Sequence, residues 1–306
     1  MTDAMNHDKT FITRSNNLSC VSEPSQSATT GSSLNSDGPV VECAYAKLTL
    51  SLRVIGRRDD GYHTIEADLV TVDFADTLIF EKGTGLQVVD EVPGGLGLRD
   101  ISAGRSNLVN KAMAIVGETA AIRLLKRIPA GAGLGGGSAD AAAVLRWAGY
   151  KSHKMASRLG ADVPFCLMGG MAHVSGIGEQ VSSTLFEEST FVLMLPPFGL
   201  ETGRVYEQWD RLPESLRHLS GNGDKTGFVN DLEPAALRLE PQLELWKEAF
   251  GHATGMEPHM AGSGSAWFIK GSKVELGLEG RKELIIKDMR APLLEVNSVP
   301  AISLAQ

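Results

Sequence analysis

The sequence predicts an α/β protein of two domains, and three observations carry that prediction. A β-rich stretch begins near Val40, a strand, a glycine-rich turn and a strong helix former follow one another over residues 121–148, and a fresh β-like run starts near Phe191. The length of 306 residues suits one large or two medium domains. We expect an N-terminal domain over 40–189 and a C-terminal domain over 190–306. Residues 1–39 are rich in Ser, Thr and Asn with few large apolar side chains, so they cannot offset their ordering entropy and are expected to form a disordered extension.

Taken in order, VVECAYAKLTLSLRVIG is partly alternating and ends at the turn-like RRDDGYH, which predicts a strand and a loop before a second strand in TIEADLVTVDFADTLIFEKG. The Gly-rich GGLGLRDISAGRS breaks that pattern. NLVNKAMAIVGE then has helical apolar spacing, with Ser106 or Asn107 placed to cap it. TAAIRLLKRIP reads as a strand feeding the glycine turn, and SADAAAVLRWAG as a helix with small residues first and Leu and Trp later. A shorter helix is expected at SHKMASRLG. In the second domain, FVLMLPPFG predicts a strand, TGRVYEQWDRL and PAALRLEPQLELWKEAFG predict helices, and SAWFIKG and LLEVNSV predict further strands.

Composition narrows the function classes. An apolar fraction of 42% and a charged fraction of 22% are those of an ordinary soluble globular chain, and a formal charge of -8 argues against a general affinity for nucleic acid or anionic membrane. Cys20, Cys43 and Cys166 are widely spaced and lack a CxxC pair, which suggests neither a disulfide framework nor a zinc site and points to a reducing cytoplasm. No stretch has the roughly 18–20 consecutive apolar residues of a membrane span.

The chemistry concentrates in PAGAGLGGGSADAA, which starts at Pro129. Glycines between a strand and a helix let backbone N–H groups converge on an anion at the positive end of the helix dipole, so this segment is a phosphate-cradle candidate. No Lys follows the glycines, which excludes a Walker A loop. Gly131, Gly133 and Gly136 satisfy G-x-G-x-x-G. Several strands precede them, however, and no strand ending in Asp or Glu follows about 20 residues later, so a dinucleotide fold is the lesser reading.

The same segment resembles the second motif of the GHMP kinases, the family of galactokinase, homoserine kinase and mevalonate kinase. AYAKLTLSLRVIGRRDDGYH resembles the first motif of the subgroup that acts on a cytidine diphosphate-linked methylerythritol. RLGADVPF, VNDLEPAALRL and MAGSGSAWFI resemble further segments, and the likeness runs from about Val41 to Val299. It implies an N-terminal domain like domain 2 of ribosomal protein S5, with a left-handed crossover, and a ferredoxin-like C-terminal domain. It also implies ATP-dependent phosphorylation of the substrate's 2-hydroxyl in the non-mevalonate isoprenoid precursor pathway. Carried over residue by residue, Asp162 becomes the catalytic base and Lys47 the group that steadies negative charge. Pro129, Ala130, Gly131, Ala132, Gly133, Leu134, Gly135, Gly136, Gly137, Ser138 and Ala139 wrap the triphosphate, with Asn107 and Lys126 near adenine. Thr49, Tyr62, His63, Tyr206, Gly262, Ser263 and Gly264 are expected on the substrate side, His63 reading cytosine and Tyr206 stacking on it.

Three departures accompany the likeness. Thr49 stands where the subgroup has Asn, the stretch between AAAVLRWAG and RLGADVP is about ten residues short, and GSKVELGLEGRKELIIKDM makes a poor closing helix. No protein ligand for Mg²⁺ is expected, since the ion travels with ATP on phosphate and water oxygens. A small-molecule substrate, no nucleic acid or membrane partner, and a monomer or weak homodimer complete the expectation. Two other readings stay open, a GHMP kinase for another small alcohol such as homoserine or a mevalonate derivative, and an inactive nucleotide-binding relative.

Overall fold

A computed structural model describes residues 38–95, 103–217 and 227–302, so most of the expected N-terminal extension, residues 1–37, lies outside the described residues. Strands β1 (Val40–Arg57) and β2 (His63–Glu81) form a long antiparallel hairpin. Its register shifts between Tyr45 and Lys47 and again between Thr49 and Ser51, irregularities of the kind that re-aim side chains. Strand β3 (Gly85–Asp90) runs to helix α1 (Leu108–Val116), and β4 (Ala121–Lys126) pairs parallel with β3. Helices α2 (Gly136–Trp147), α3 (His153–Ala156) and α4 (Val163–Met168) lead to β5 (Met171–Ser175) and β6 (Gln180–Ser183). The first sheet has the order β3-β4-β2-β5-β6, with β1 on β2.

The second sheet starts with β7 (Thr190–Met194). Helices α5 (Thr202–Asp210), α6 (Glu214–Arg217), α7 (Glu233–Leu239) and α8 (Gln242–Thr254) follow, then β8 (His259–Met260), β9 (Trp267–Lys270), β10 (Glu283–Ile286) and β11 (Met289–Asn297). Its order is β10-β11-β7-β9-β8 and its pairings are antiparallel.

The sequence pattern located the strand, turn and helix around the glycines, and it missed smaller features. The helix expected at SHKMASRLG shrinks to one turn. The stretch from Pro234 to Gly251 breaks into two helices at Glu240, whose φ of -137° and ψ of 89° end α7 before Pro241. The poor closing helix is a series of turns and a β10–β11 hairpin, turned at Lys287 with φ 57°. Cys166 is free and buried.

Helix α2 is the spine of the first half. Ala139, Ala141, Ala142 and Ala143 are buried, and such small side chains let the helix lie close on β1, α1 and α4. Trp147 closes its far end by stacking on Phe80, ring centroids 4.5 Å apart, a contact worth about 0.5–1.5 kcal/mol beyond area burial. Near the end of α2, Arg146 ties the helix to β1 and α4. Its guanidinium donates to the carbonyls of Cys43 (2.7 Å) and Cys166 (3.0 Å) and meets Glu42.

Several seams join the halves, among them one at Leu52 and one after β11. Leu52 exchanges backbone hydrogen bonds with Val229 (2.8 Å) and Asp231 (3.0 Å), and the Asp231 carboxylate accepts from the N–H of Val54. After β11, the chain returns to the first half, with the Val299 N–H donating to Thr71 and that of Ile302 to Met168.

Candidate active site

Segment 129–135 crosses from β4 to α2 along the wall of a cleft of about 420 Å³. Gly131, Gly133 and Gly135 take φ of 69°, 74° and 69°, a left-handed conformation that side chains resist. Space forbids them as well. A Cβ on Gly133 would lie 1.9 Å from the Ala261 carbonyl oxygen, and one on Gly135 would lie 2.8 Å from Lys47 Cγ. Gly135 is the N-cap of α2 and offers no side-chain cap, and the first intrahelical bond runs from the Ala139 N–H to its carbonyl. The N–H groups of Gly136, Gly137 and Ser138 therefore face the cleft end of the helix without intrahelical acceptors. That is the chemistry of an anion cradle, and it fits a triphosphate.

Lys47 enters the cleft from β1. Its Nζ lies 2.9 Å from Thr49 Oγ1 and 3.7 Å from Asp162 Oδ2, with the lysine side chain 9% exposed and the aspartate 36%. Thr49, in place of the subgroup's Asn, thus accepts a hydrogen bond from the lysine and keeps its own O–H to donate. Asp162 occupies the N-cap of α4 but makes no side-chain capping bond, which leaves its carboxylate to the lysine and the cleft. Gly262, from the third glycine turn, closes against the pair, since a Cβ there would lie 3.0 Å from Lys47 Nζ and 3.3 Å from Thr49 Oγ1. Asn230 holds that turn by donating to the carbonyls of Met260 (2.9 Å) and Gly262 (2.7 Å). The turn also locks to the loop, with the N–H groups of Ser265 and Ala266 donating to Gly131 and Ala132.

Beneath the loop lies a buried cluster of charge. The Lys126 ammonium meets the carboxylates of Asp76 and Asp140, and Asp76 also accepts the N–H groups of Arg127 and Ile128 at 2.6 and 2.8 Å. Lys126 lines the cleft, and its charge is turned to these two acids. Burial pushes the Asp140 carboxyl up to about 8; Lys126 opposes that shift and the Asp76 charge adds to it. The Lys126 ammonium is itself held above its ordinary range, because its two acid partners together outweigh burial. With two acids around one base, Asp76 has the lysine and two amides, and Asp140 is the group that takes a proton.

The expected substrate readers sit in a second cluster. The His63 ring stacks on Tyr206 with centroids 4.8 Å apart and planes at 22°, and meets Trp209 edge-on at 5.5 Å. Its Nε2 lies 2.7 Å from Asp210 Oδ1. One face of Tyr206, expected to stack on a base, is thus taken by His63. Burial, and then the Asp162 charge, hold the Tyr206 hydroxyl well above its ordinary range. Tyr62 is 62% exposed and its backbone closes the turn on Asp60. Asn107 caps α1 through Val109 and lines the cleft, as does Ser263, which hydrogen-bonds Thr202. Gly264 packs on Met260 behind the turn.

Sequence reasoning missed Asp76, Asp140, Thr202 and Asp210, whose roles come from partners distant in sequence. Asp140 alone carried a signal, being a charged residue in an otherwise alanine-rich helix face. Among the described residues, no group of three or more His, Cys, Asp or Glu side chains could hold a metal ion.

The fold is that of a GHMP kinase, and residues 107–170 match the family described as the GHMP kinases N terminal domain. The chain is 33% identical over 254 residues to the 4-diphosphocytidyl-2-C-methyl-D-erythritol kinase of Clostridium beijerinckii, covering 74% of this chain and 88% of that one. It is 35% identical over 258 residues to the enzyme so named in Verminephrobacter eiseniae, covering 74% and 84%. On this similarity the chain belongs to the 4-diphosphocytidyl-2-C-methyl-D-erythritol kinase family. A crystal structure of 4-(cytidine 5'-diphospho)-2C-methyl-D-erythritol kinase superposes with a TM-score of 0.61 at 29% identity, over 85% of this chain and all of that one. Homoserine kinase from Cytophaga hutchinsonii shares the fold at 16% identity, TM-score 0.52, over 87% of this chain and 96% of that one.

Proposed function

We propose that this protein transfers the terminal phosphoryl group of ATP to the 2-hydroxyl of 4-diphosphocytidyl-2-C-methyl-D-erythritol, a step in the non-mevalonate route to isoprenoid precursors. The observation that carries the reading is the Lys47–Asp162 pair, 3.7 Å apart, at the mouth of a glycine cradle in a chain of this family. Asp162 accepts the proton of the 2-hydroxyl as its oxygen bonds to the terminal phosphorus and the bridging P–O bond breaks to release ADP. Lys47, held by Thr49 and Gly262, lies 3.7 Å from Asp162 and steadies the negative charge that spreads over the transferred group. The N–H groups at the start of α2 hold the phosphates. Mg²⁺, carried by phosphate and water oxygens, supplies further charge neutralisation when ATP binds.

His63 and Tyr206 give specificity for the cytidylyl end. The other expectations belong to the same reading: two domains divided near residue 190, a cytoplasmic location, and a monomer or weak homodimer. The test is ADP release with Mg-ATP and the cytidylyl substrate, with homoserine and mevalonate in parallel. Release with the cytidylyl compound alone is expected. Turnover of homoserine or mevalonate in its place, or of none by folded, ATP-binding protein, would overturn the assignment.

A further inference from the structure

The bond between His63 and Asp210 has a consequence for what the imidazole can recognise. A carboxylate only accepts hydrogen bonds, so the 2.7 Å contact between Asp210 Oδ1 and His63 Nε2 places a proton on Nε2. In the neutral ring the other nitrogen, Nδ1, is then an acceptor. The ring cannot readily turn to exchange the two, because its side chain is 8% exposed and is held between the face of Tyr206 and the edge of Trp209. The aspartate is fixed as well. Arg57 Nη1 lies 3.3 Å from its second oxygen, and Arg217 donates to its backbone carbonyl, which anchors the end of α5. Among the described residues, none hydrogen-bonds Nδ1.

We infer that Asp210 is a specificity-determining positioning residue, which sets the His63 tautomer so that Nδ1 accepts a hydrogen bond from the exocyclic amine of a cytosine base and excludes uracil. Cytosine presents an N–H donor at C4 where uracil presents a carbonyl acceptor, and an acceptor on the protein distinguishes the two by attraction in one case and repulsion in the other. Asp210 does this without touching the substrate. The inference rests on the cytidylyl reading above, and the tests separate the failure of each.

The tautomer is read first, by ¹⁵N NMR of histidine-labelled full-length protein. Wild type is expected to show His63 as the Nε2–H form and Asp210→Ala to lose that preference; an Nδ1–H form in the wild type would overturn the inference whatever the substrate is. Kinetics follow, with the cytidylyl substrate and its uridylyl analogue at saturating ATP. In Asp210→Asn and Asp210→Ala, the cytidylyl-to-uridylyl ratio of kcat/KM is expected to fall at least ~10-fold, through KM for the cytidylyl compound. The kcat at saturation and the KM for ATP should stay within about 2-fold, since the lysine–aspartate pair is untouched. A wild type that discriminates, with both folded variants discriminating equally well, would refute the role of Asp210. A wild type with the Nε2–H tautomer that fails to use either pyrimidine compound would instead overturn the cytidylyl reading, and the assignment to Asp210 with it.

Discussion

Lys126→Met offers a direct test of how the phosphate loop is held. Methionine fills nearly the same space, so packing changes little, but the Asp76 and Asp140 carboxylates, 0% and 3% exposed as residues, lose their shared cation. Breaking a buried ion pair by removing one partner typically costs about 3–5 kcal/mol, because an uncompensated charge stays out of water. Asp76 keeps its two amide donors, Arg127 and Ile128, so the loss should not exceed that range. At about 2 °C per kcal/mol for a chain of this size, the melting temperature should fall by ~6–10 °C at pH 8. Proton uptake can relieve the charge left without its cation as pH falls, so the deficit should shrink by pH 5. Adding Asp76→Asn, which keeps an acceptor for both amides, should recover part of the loss. Differential scanning calorimetry at the two pH values is the assay. A drop of less than about 2 °C at pH 8, or a deficit that grows toward pH 5, would refute the view that the Lys126 ammonium offsets the charge buried on this acid pair.

Other expectations follow from the same geometry. Asp162→Asn should lower turnover by about 10²-fold or more while calorimetric ATP affinity stays within about 2-fold, and wild-type turnover in this variant would remove Asp162 from the base role. Gly133→Ala should raise the KM for ATP at least ~10-fold, since left-handed backbone costs a side chain about 1–2 kcal/mol and the new Cβ would sit 1.9 Å from the Ala261 oxygen. Gly137→Ala is its control, with Leu108 Cδ1 at 3.6 Å as the nearest atom, and should bind ATP nearly as wild type does. Asp140→Asn should remove a slope in stability. The folded carboxyl is raised to about 8 from 3.8, so between those values the unfolded chain gives up its proton while the folded chain keeps it, and wild-type stability falls as pH rises. The melting temperature of the variant relative to wild type should therefore climb from pH 5 to pH 8; a constant difference would mean that Asp140 titrates as an ordinary acid.

Much of the site could be read from local sequence because its chemistry is a backbone property. Glycines at 131, 133 and 135 between an alternating strand and an alanine-rich helix specify a cradle of N–H groups wherever the chain goes. Asn107 before an apolar helical run specifies a cap in the same way. Lys47, Asp162 and His63 were identified by likeness to family motifs, since a lone lysine on a strand or an aspartate before Val-Pro carries no local mark of catalysis.

Tertiary structure decided what those side chains do with one another. Lys47 and Asp162 are 115 positions apart and Asp76 and Lys126 are 50 apart, so only the packing of β1 with α4 and of β2 with β4 determines that they meet. The same holds for His63 and Asp210, brought together from the two halves of the chain. An ion pair or a fixed tautomer depends on a few tenths of an ångström between distant segments and on how much water is excluded there. Residue order encodes local conformation strongly, and it encodes such distances only through the whole fold.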